Sequence, residues 1–389
     1  MWDIFGSKIT GLKDVSTIGI VDISTNAIST VFWLYIASVL GSENYGEISY
    51  IIAIASIASV ISLLGTENVM TVLAAKKIKA QSTLYFLVAI SSSITSIIVF
   101  IIFDSFEISF LVISYVIISL TLSDIIGRKI FVQYAKFVIA NKIVMVTSAL
   151  GLYFLIGSEG VILGIAISAF PYFFMIYKSC KETKIDFSIL RERTKFVVTN
   201  YAITLSASFG GTTDKLLIAP LLGFALLGNY QLGIQFLTML NILPAIVFKY
   251  VLPHDASGES SIKLKLITII ASGIITVIAF FISPWVVSQM FPEYLQAIEI
   301  IPILSLSLIP SAVILFYTSK FLGNEDNIPI FVGSILYLVI LVILIIILGK
   351  MFDLLGIAIA FNVAITTQMV YFIIIERWRN RILNEDKSE

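Results

Sequence analysis

Long apolar runs alternate along this chain with short polar breaks, and no run holds more than two charges. A helix needs about 17 to 25 apolar residues to cross the hydrocarbon core of a bilayer, where its backbone polar groups must be satisfied within the segment. The pattern predicts twelve spans, near residues 15–40, 48–75, 81–103, 108–126, 137–156, 159–177, 196–218, 228–248, 266–290, 295–318, 328–348 and 354–375. The first run is too long for a cleavable signal sequence, and no A-x-A-like site closes it, so it is expected to stay as a spanning helix. Ahead of it, Trp2, Ile4, Phe5, Ile9 and Leu12 among polar neighbours have the pattern of a short interfacial helix, with a loose tail as the alternative.

One short pattern occurs twice. Ile218, Ala219, Leu222, Gly223 and Gly228 spell I-A-x-x-L-G-x4-G, and Ile36, Ala37, Leu40, Gly41 and Gly46 spell it 182 residues earlier. Each copy closes one apolar run and opens the next, so the chain is read as two related halves. The expected organisation is an N-terminal six-helix lobe over 1–178, a charged linker over 179–195, a C-terminal six-helix lobe over 196–376 and a tail over 377–389. Both halves start on the same side of the membrane, which makes a parallel repeat about an axis along the membrane normal. Transporters built this way bind substrate between the halves and expose it alternately to each side. The fold class expected is therefore an all-α polytopic membrane protein, two six-helix repeats around a central cavity.

Polar positions inside the spans add candidate chemistry. Asp22, Asn26, Ser29 and Trp33 are spaced i, i+4, i+7, i+11 on one face of the first span, and Thr204, Ser208, Gly211 and Lys215 stand 182 residues later with the same spacing. Asn200 extends the second stripe by a turn. Polar side chains are costly against lipid, so these faces are expected to point into the bundle or a wet cavity. The alternative is helix packing, for which small residues suffice. Asn26, Trp33, Lys142, Asn200, Thr204, Ser208 and Lys215 are the candidate substrate contacts, Lys142 and Lys215 being the basic residues within spans. By distance from the span centres, Asp22, Glu67, Asp124 and Lys142 fall at one depth, roughly 8 to 10 Å from the midplane. They are expected either to form a charge-paired layer or to carry a coupling H⁺ or Na⁺, with Asp22, Glu67 and Asp124 as the ion-coupling candidates. Asp214 and Lys215, as sequence neighbours, point about 100° apart on a helix and need not pair. Pro171, Pro220, Pro244, Pro284, Pro302, Pro310 and Pro329 lie in or beside spans as bend points or helix ends.

Composition and charge agree with the span pattern. The 389 residues are 58% hydrophobic and 13% charged, against roughly 25% charged in soluble proteins. Net charge is zero, yet 22 of the 25 Lys and Arg residues fall on one side when the N-terminus is assigned to the cytoplasm. This asymmetry predicts a cell-membrane protein with both termini cytoplasmic. Basic residues thus follow topology and give no support to nucleic-acid binding. The single cysteine, Cys180, excludes an internal disulfide and a thiol pair for metal or redox work. His254, the sole histidine, is read as a solvated loop residue after the eighth span. No phosphate loop, H-E-x-x-H or G-x-S-x-G is present, so no ATPase, zinc protease or serine hydrolase is signalled, and no catalytic residue, metal or cofactor is assigned.

Asp214, Ile218, Leu222, Gly223, Gly228 and Tyr230, in the order D-x3-I-x3-LG-x4-G-x-Y, resemble the hallmark of polysaccharide flippases of the multidrug/oligosaccharidyl-lipid/polysaccharide exporter superfamily. The first copy, followed by Leu64 and Gly65, is similar to the opening of that family. The resemblance implies translocation of lipid-linked oligosaccharides by alternating access between two six-helix lobes, with helices one, two, seven and eight lining the cavity. It implies membrane lipids and other polysaccharide-assembly proteins as partners, and no enzymatic activity. It transfers no binding residue. Many relatives have fourteen spans, a pair more than are read here. A cation-coupled multidrug or small-molecule exporter of the same superfamily is the alternative, using Asp22 and Glu67 for cationic amphiphiles. A major-facilitator carrier would need a basic motif that Lys76, Lys77, Ile78 and Lys79 match poorly, and a membrane-embedded glycosyltransferase would need a loop domain that the short outer loops do not supply.

Overall fold

A computed structural model describes the backbone of residues 2–256, 261–324 and 326–385, with all side chains in these except those of 2–18, 20, 203, 206, 207, 249, 253, 256 and 380–385. Every regular element among the described residues is helical. Helix α1, Trp2–Leu63, runs through the expected first two spans and is broken at Gly41, whose φ of 74° and ψ of 170° lie outside the helical region. The apolar and aromatic side chains read as an interfacial face near the N-terminus lie outside the described residues. Leu64 and Gly65, at φ of 51° and 73°, then separate α1 from α2, Thr66–Ala75. There follow α3 (Gln81–Phe103), α4 (Phe106–Gly127), α5 (Phe131–Ile156), α6 (Ser158–Ile167), a 3₁₀ turn (Phe170–Tyr172), α7 (Phe173–Glu182), α8 (Ser188–Arg191) and α9 (Thr194–Leu222). The rest of the chain forms α10 (Phe224–Leu240), α11 (Ile242–Ala256), α12 (Ile262–Met290), α13 (Ala297–Ser305), α14 (Leu308–Gly323) and α15 (Ile328–Glu385), the last broken at Phe352 and Asp353.

Seven of the described helical segments are long and apolar enough to cross a membrane, and two bent pairs, α10 with α11 and α13 with α14, pass when each is taken as one span. Val21–Leu63 and Ile328–Arg379 each hold two crossings because of their breaks. Together with α9 these make up the set of about twelve spans that the apolar runs predict. Several spans expected as single helices are interrupted: the second at Gly65, the sixth at the 3₁₀ turn, the eighth by 45° and the tenth by 41°.

The chain divides into two compact units, residues 1–32 with 50–212 and residues 33–49 with 213–389. Compactness thus groups 33–49 with the second unit and 196–212 with the first, whereas lobes drawn from the repeat follow chain order. In the first unit, Leu63, Met70, Leu73, Leu84, Val88 and Leu120 form a buried core. Helices α2 and α4 approach closely through Gly127, where a Cβ would stand 2.5 Å from the Thr71 carbonyl oxygen. Small residues also let α6 lie on α5: a Cβ on Gly164 would meet the Ala149 backbone at 2.3 Å, and the Ser148 hydroxyl donates to the Gly164 carbonyl at 2.7 Å.

The charged linker is partly helical and held to the first unit. Its start continues α7 to Glu182, and it is fastened to the first turn of α3 by a Ser82 hydroxyl bond to the Thr183 carbonyl at 2.7 Å and an Asp186 N–H bond to the Thr83 hydroxyl at 2.8 Å. In the second unit, Lys265 and Ser319 hold Asp255 at 2.8 and 2.6 Å, and Lys320 pairs with Glu376 and Arg379 with Asp326. His254 belongs to the last turn of α11, stacked on Tyr250 with ring centroids 4.3 Å apart and Nδ1 2.8 Å from the Tyr250 carbonyl oxygen. It is a helix-end residue, not the loop residue expected.

Candidate functional site

The repeated motif is where sequence becomes geometry most directly. Gly41 and Gly223 adopt nearly the same backbone, φ 74°, ψ 170° and φ 92°, ψ 169°, which a glycine tolerates and an L side chain does not. Five residues on, Gly46 and Gly228 meet the opposite copy. A Cβ on Gly46 would fall 1.9 Å from the Phe224 carbonyl oxygen, and one on Gly228 would fall 1.8 Å from the Ser42 carbonyl oxygen. Residues 42 and 224 are themselves 182 apart, so the contact is reciprocal under the repeat. Ile36, Ile218, Leu227 and Tyr230 are buried around it.

The polar ends of the second copy have a partner relation that spacing alone does not reveal. The Tyr230 hydroxyl donates to Asp214 Oδ2 at 2.8 Å, and Asp214 Oδ1 accepts from the Lys215 N–H at 2.9 Å and from Lys215 Nζ at 3.3 Å. Asp214 and Lys215 therefore do pair: a long lysine stem folds back to its neighbour where the carboxylate is itself buried. In the first copy Phe32 and Ile48 stand at the positions of Asp214 and Tyr230, so this polar link belongs to the second copy alone. Three aromatic residues of the same unit, Trp33 and the buried Tyr45 and Tyr294, gather beside the first copy. Trp33 and Tyr45 rings lie 6.2 Å apart, Tyr45 and Tyr294 6.2 Å apart, and the Tyr294 hydroxyl donates to the Ala37 carbonyl at 2.7 Å.

In the first unit, Asp22 is half-buried and accepts from the Tyr134 hydroxyl of α5 at 2.9 Å. Asn26 is exposed, and Ser29 Oγ is buried without a hydrogen-bond partner among the described residues. On α9, Asn200 donates back to the Phe196 carbonyl at 2.8 Å, while Thr204 and Ser208 are half-buried. Helix α5 carries Lys142 two turns beyond Tyr134, about 12 Å along its axis.

Of the four residues expected at one depth, Asp22 meets Tyr134, and Asp124 has a salt-bridge partner of its own. Among the described residues no group of three acids, histidines or cysteines is placed to hold a metal ion. Asp124 is fully buried and enclosed: Arg128 Nε donates to Oδ1 at 2.8 Å and the Ser179 hydroxyl to Oδ2 at 2.8 Å. Arg128 further donates to Glu182 at 2.6 Å and to Ser179 Oγ at 3.0 Å, so α4 and α7 are tied end to end. Depth counted from span centres could not anticipate this, because it ignores which helix faces which. The i, i+4 spacing of Asp124 and Arg128 was the signal available.

The second unit also holds an apolar cavity of about 620 Å³, lined by branched and aromatic side chains that include Phe236, Leu243, Ile246, Ile278 and Ile282. Ser283 reaches it with a buried hydroxyl that has no partner among the described residues.

No protein-family model and no curated protein sequence matches the chain. Solved structures do. The chain is similar to the lipid II flippase MurJ in an inward closed conformation, with a TM-score of 0.72 and 15% identity over 91% of this chain and 86% of that one. It is similar to a multidrug resistance MATE family transporter of the MOP superfamily in its inward-facing conformation, at 0.64 and 12% over 93% and 96%, and to an outward-facing one at 0.60 and 14% over 96% of each. At these identities the likeness speaks for architecture. The chain has the all-helical fold of the lipid II flippase and the MATE transporters.

Proposed function

We propose that the protein moves a lipid-linked saccharide across the cell membrane by alternating access, with both termini in the cytoplasm. The observation that carries this reading is the greater structural overlap with the lipid II flippase than with the two multidrug transporters. The polar stripes suit a hydrophilic headgroup, since Asn26 is exposed on a span where lipid contact would penalise it. The 620 Å³ apolar cavity suits a hydrocarbon tail. Lys142 in the first unit and Lys215 in the second are each candidate contacts for a phosphate, and Lys215 would exchange Asp214 for the substrate anion. Asn200, Thr204, Ser208 and Trp33 supply hydrogen bonds and a stacking face for sugar.

A second reading, cation-coupled export of a small amphiphile, is favoured by one observation: the half-buried Asp22 carboxylate, which accepts from the Tyr134 hydroxyl, is a place for H⁺ or Na⁺. Glu67 belongs with it as a half-buried acid. Asp124, enclosed by Arg128 and Ser179, is the weaker coupling candidate.

The test is translocation of a fluorescent polyprenyl-diphosphate oligosaccharide in proteoliposomes, read by quencher accessibility, for wild type, Lys215→Ala and Asp22→Asn. Protein-dependent translocation that slows about tenfold or more in Lys215→Ala is expected. Absence of translocation together with ion-driven efflux of a cationic dye, lost in Asp22→Asn, would replace the flippase reading with the exporter reading.

A further inference from the structure

Away from the stripes, one end of the first unit holds a pocket of about 350 Å³ lined by Lys77, Lys79, Gln81, Arg128 and Glu182. It lies where α2, α4 and α7 stop and α3 begins, the level at which spanning segments give way to lipid headgroups. Its cations are available. Lys77 and Lys79 are exposed, and neither is in an ion pair with a described residue. Arg128 spends three of its N–H groups on Asp124, Glu182 and Ser179, which leaves two of the five a guanidinium carries.

The pocket also offers acceptors. Gln81 is 7% exposed, and its buried Oε1 has no hydrogen-bond partner among the described residues. An unpaired buried acceptor is costly, so one that lines a pocket calls for a donor from an occupant. Glu182 Oε2 takes the Arg128 bond, and its other oxygen is left to accept a second donor.

The backbone supports the same conclusion. Lys77 has a φ of 58°, in the left-handed region where glycine or asparagine normally closes a helix, and Lys129, beside Arg128, has a φ of 59°. Both turns are closed alike, by N–H bonds from Ile78 to the Leu73 carbonyl at 2.9 Å and from Ile130 to the Ile125 carbonyl at 3.3 Å. A lysine there is strained, and in Lys77 that strain goes with a place on the pocket wall.

We infer that this pocket binds a hydroxyl-bearing phosphate diester, the headgroup of an anionic glycerol phospholipid such as phosphatidylglycerol. Lys77, Lys79 and Arg128 take the phosphate; Gln81 Oε1 and Glu182 accept from the glycerol hydroxyls. A zwitterionic headgroup has no net charge to set against three cations, whereas phosphatidylglycerol keeps one net negative charge. Occupancy joins the α2–α3 turn to the ends of α4 and α7, where the linker starts. The same chemistry could be met by a soluble glycerol phosphate, but a pocket at span-end level favours the lipid.

The experiment is a lipid titration of the detergent-purified full-length protein read by native mass spectrometry, with phosphatidylglycerol, phosphatidic acid, phosphatidylethanolamine and soluble glycerol phosphate. The variants are Lys77→Asn with Lys79→Gln, and Gln81→Leu. Asparagine tolerates the φ of 58°, so the lysine variant is expected to keep its lipid-free thermal midpoint. Phosphatidylglycerol is expected to bind at least tenfold more tightly than phosphatidylethanolamine and to weaken about thirtyfold in the lysine variant, the loss of two lysine contacts at a membrane surface. Gln81→Leu should keep phosphatidic acid and lose the preference for phosphatidylglycerol. Equal phosphatidylglycerol binding by wild type and the folded lysine variant would overturn the site. Glycerol phosphate bound as tightly as the lipid would overturn the lipid as its occupant.

Discussion

Gly46 and Gly228 show what a single hydrogen in place of a side chain does in this chain. Each copy of the motif is as legible as its spacing, and that spacing fixed where two runs meet; the reason for the glycines appears only when the two copies touch. Gly46→Ala and Gly228→Ala are each expected to lower stability by about 1–3 kcal/mol, because a methyl group would displace a backbone carbonyl instead of a flexible side-chain end. Gly151→Ala, on α5 with nothing within 4 Å of the added Cβ, should be neutral or mildly stabilising. Thermal unfolding of the three variants in one detergent checks the contrast, and equal losses would refute it. Arg128 is the second residue-scale case. Arg128→Ala leaves the fully buried Asp124 carboxylate with Ser179 alone, an expected cost of about 3–5 kcal/mol. Adding Asp124→Asn should return part of that loss; a double variant no more stable than Arg128→Ala would show that the charge is not what is being balanced. Asp22, by contrast, was identifiable as a stripe residue, while its partner Tyr134 lies 112 positions away and no local pattern points to it.

Among the elements, the turn between α5 and α6 and the break inside α15 are built alike. Gly157 (φ 79°, ψ −148°) and Asp353 (φ 49°, ψ −130°) turn the chain, and three residues later Gly160 and Gly356 lie against Leu152 and Leu348, where a Cβ would sit 2.3 and 2.0 Å from the carbonyl oxygens. These pairs are 196 residues apart, whereas the motif copies are 182 apart, so the halves differ in length between the two landmarks. A search at one fixed offset passes over this second correspondence, and the exchange of glycine for aspartate hides it further. Asp353 occupies a conformation that suits glycine. Asp353→Gly is therefore expected to stabilise the protein by about 1 kcal/mol and Gly356→Ala to destabilise it. Denaturant midpoints of the two variants on either side of wild type are the expected result; a lower midpoint for Asp353→Gly would mean that the aspartate makes a contact worth more than the strain. Apolar runs announce a span whether or not it is straight, which is why the span set was legible and the bends at Gly65, Asn241 and Ser305 to Leu308 were not.

For the molecule as a whole, the charge asymmetry assigns one face to the cytoplasm, and the lone cysteine makes that assignment easy to check. Cys180 is exposed near the end of α7. A membrane-impermeant maleimide should leave it unlabelled in intact cells and label it once the membrane is opened; labelling in intact cells would invert the orientation. The charged linker that follows was read correctly as polar, but not as fastened, since Ser82 and Thr83 sit about a hundred residues before the groups they hold. The same long-range blindness applies to the meeting of the motif copies, and that meeting has a lasting consequence. A contact in which one copy's glycine rests on the other's carbonyl, and the reverse, has the form of an interface between two identical partners, here written into one continuous chain. Gly46 and Gly228 thus meet one constraint twice: each must lack a side chain for the other copy's carbonyl to stand where it does.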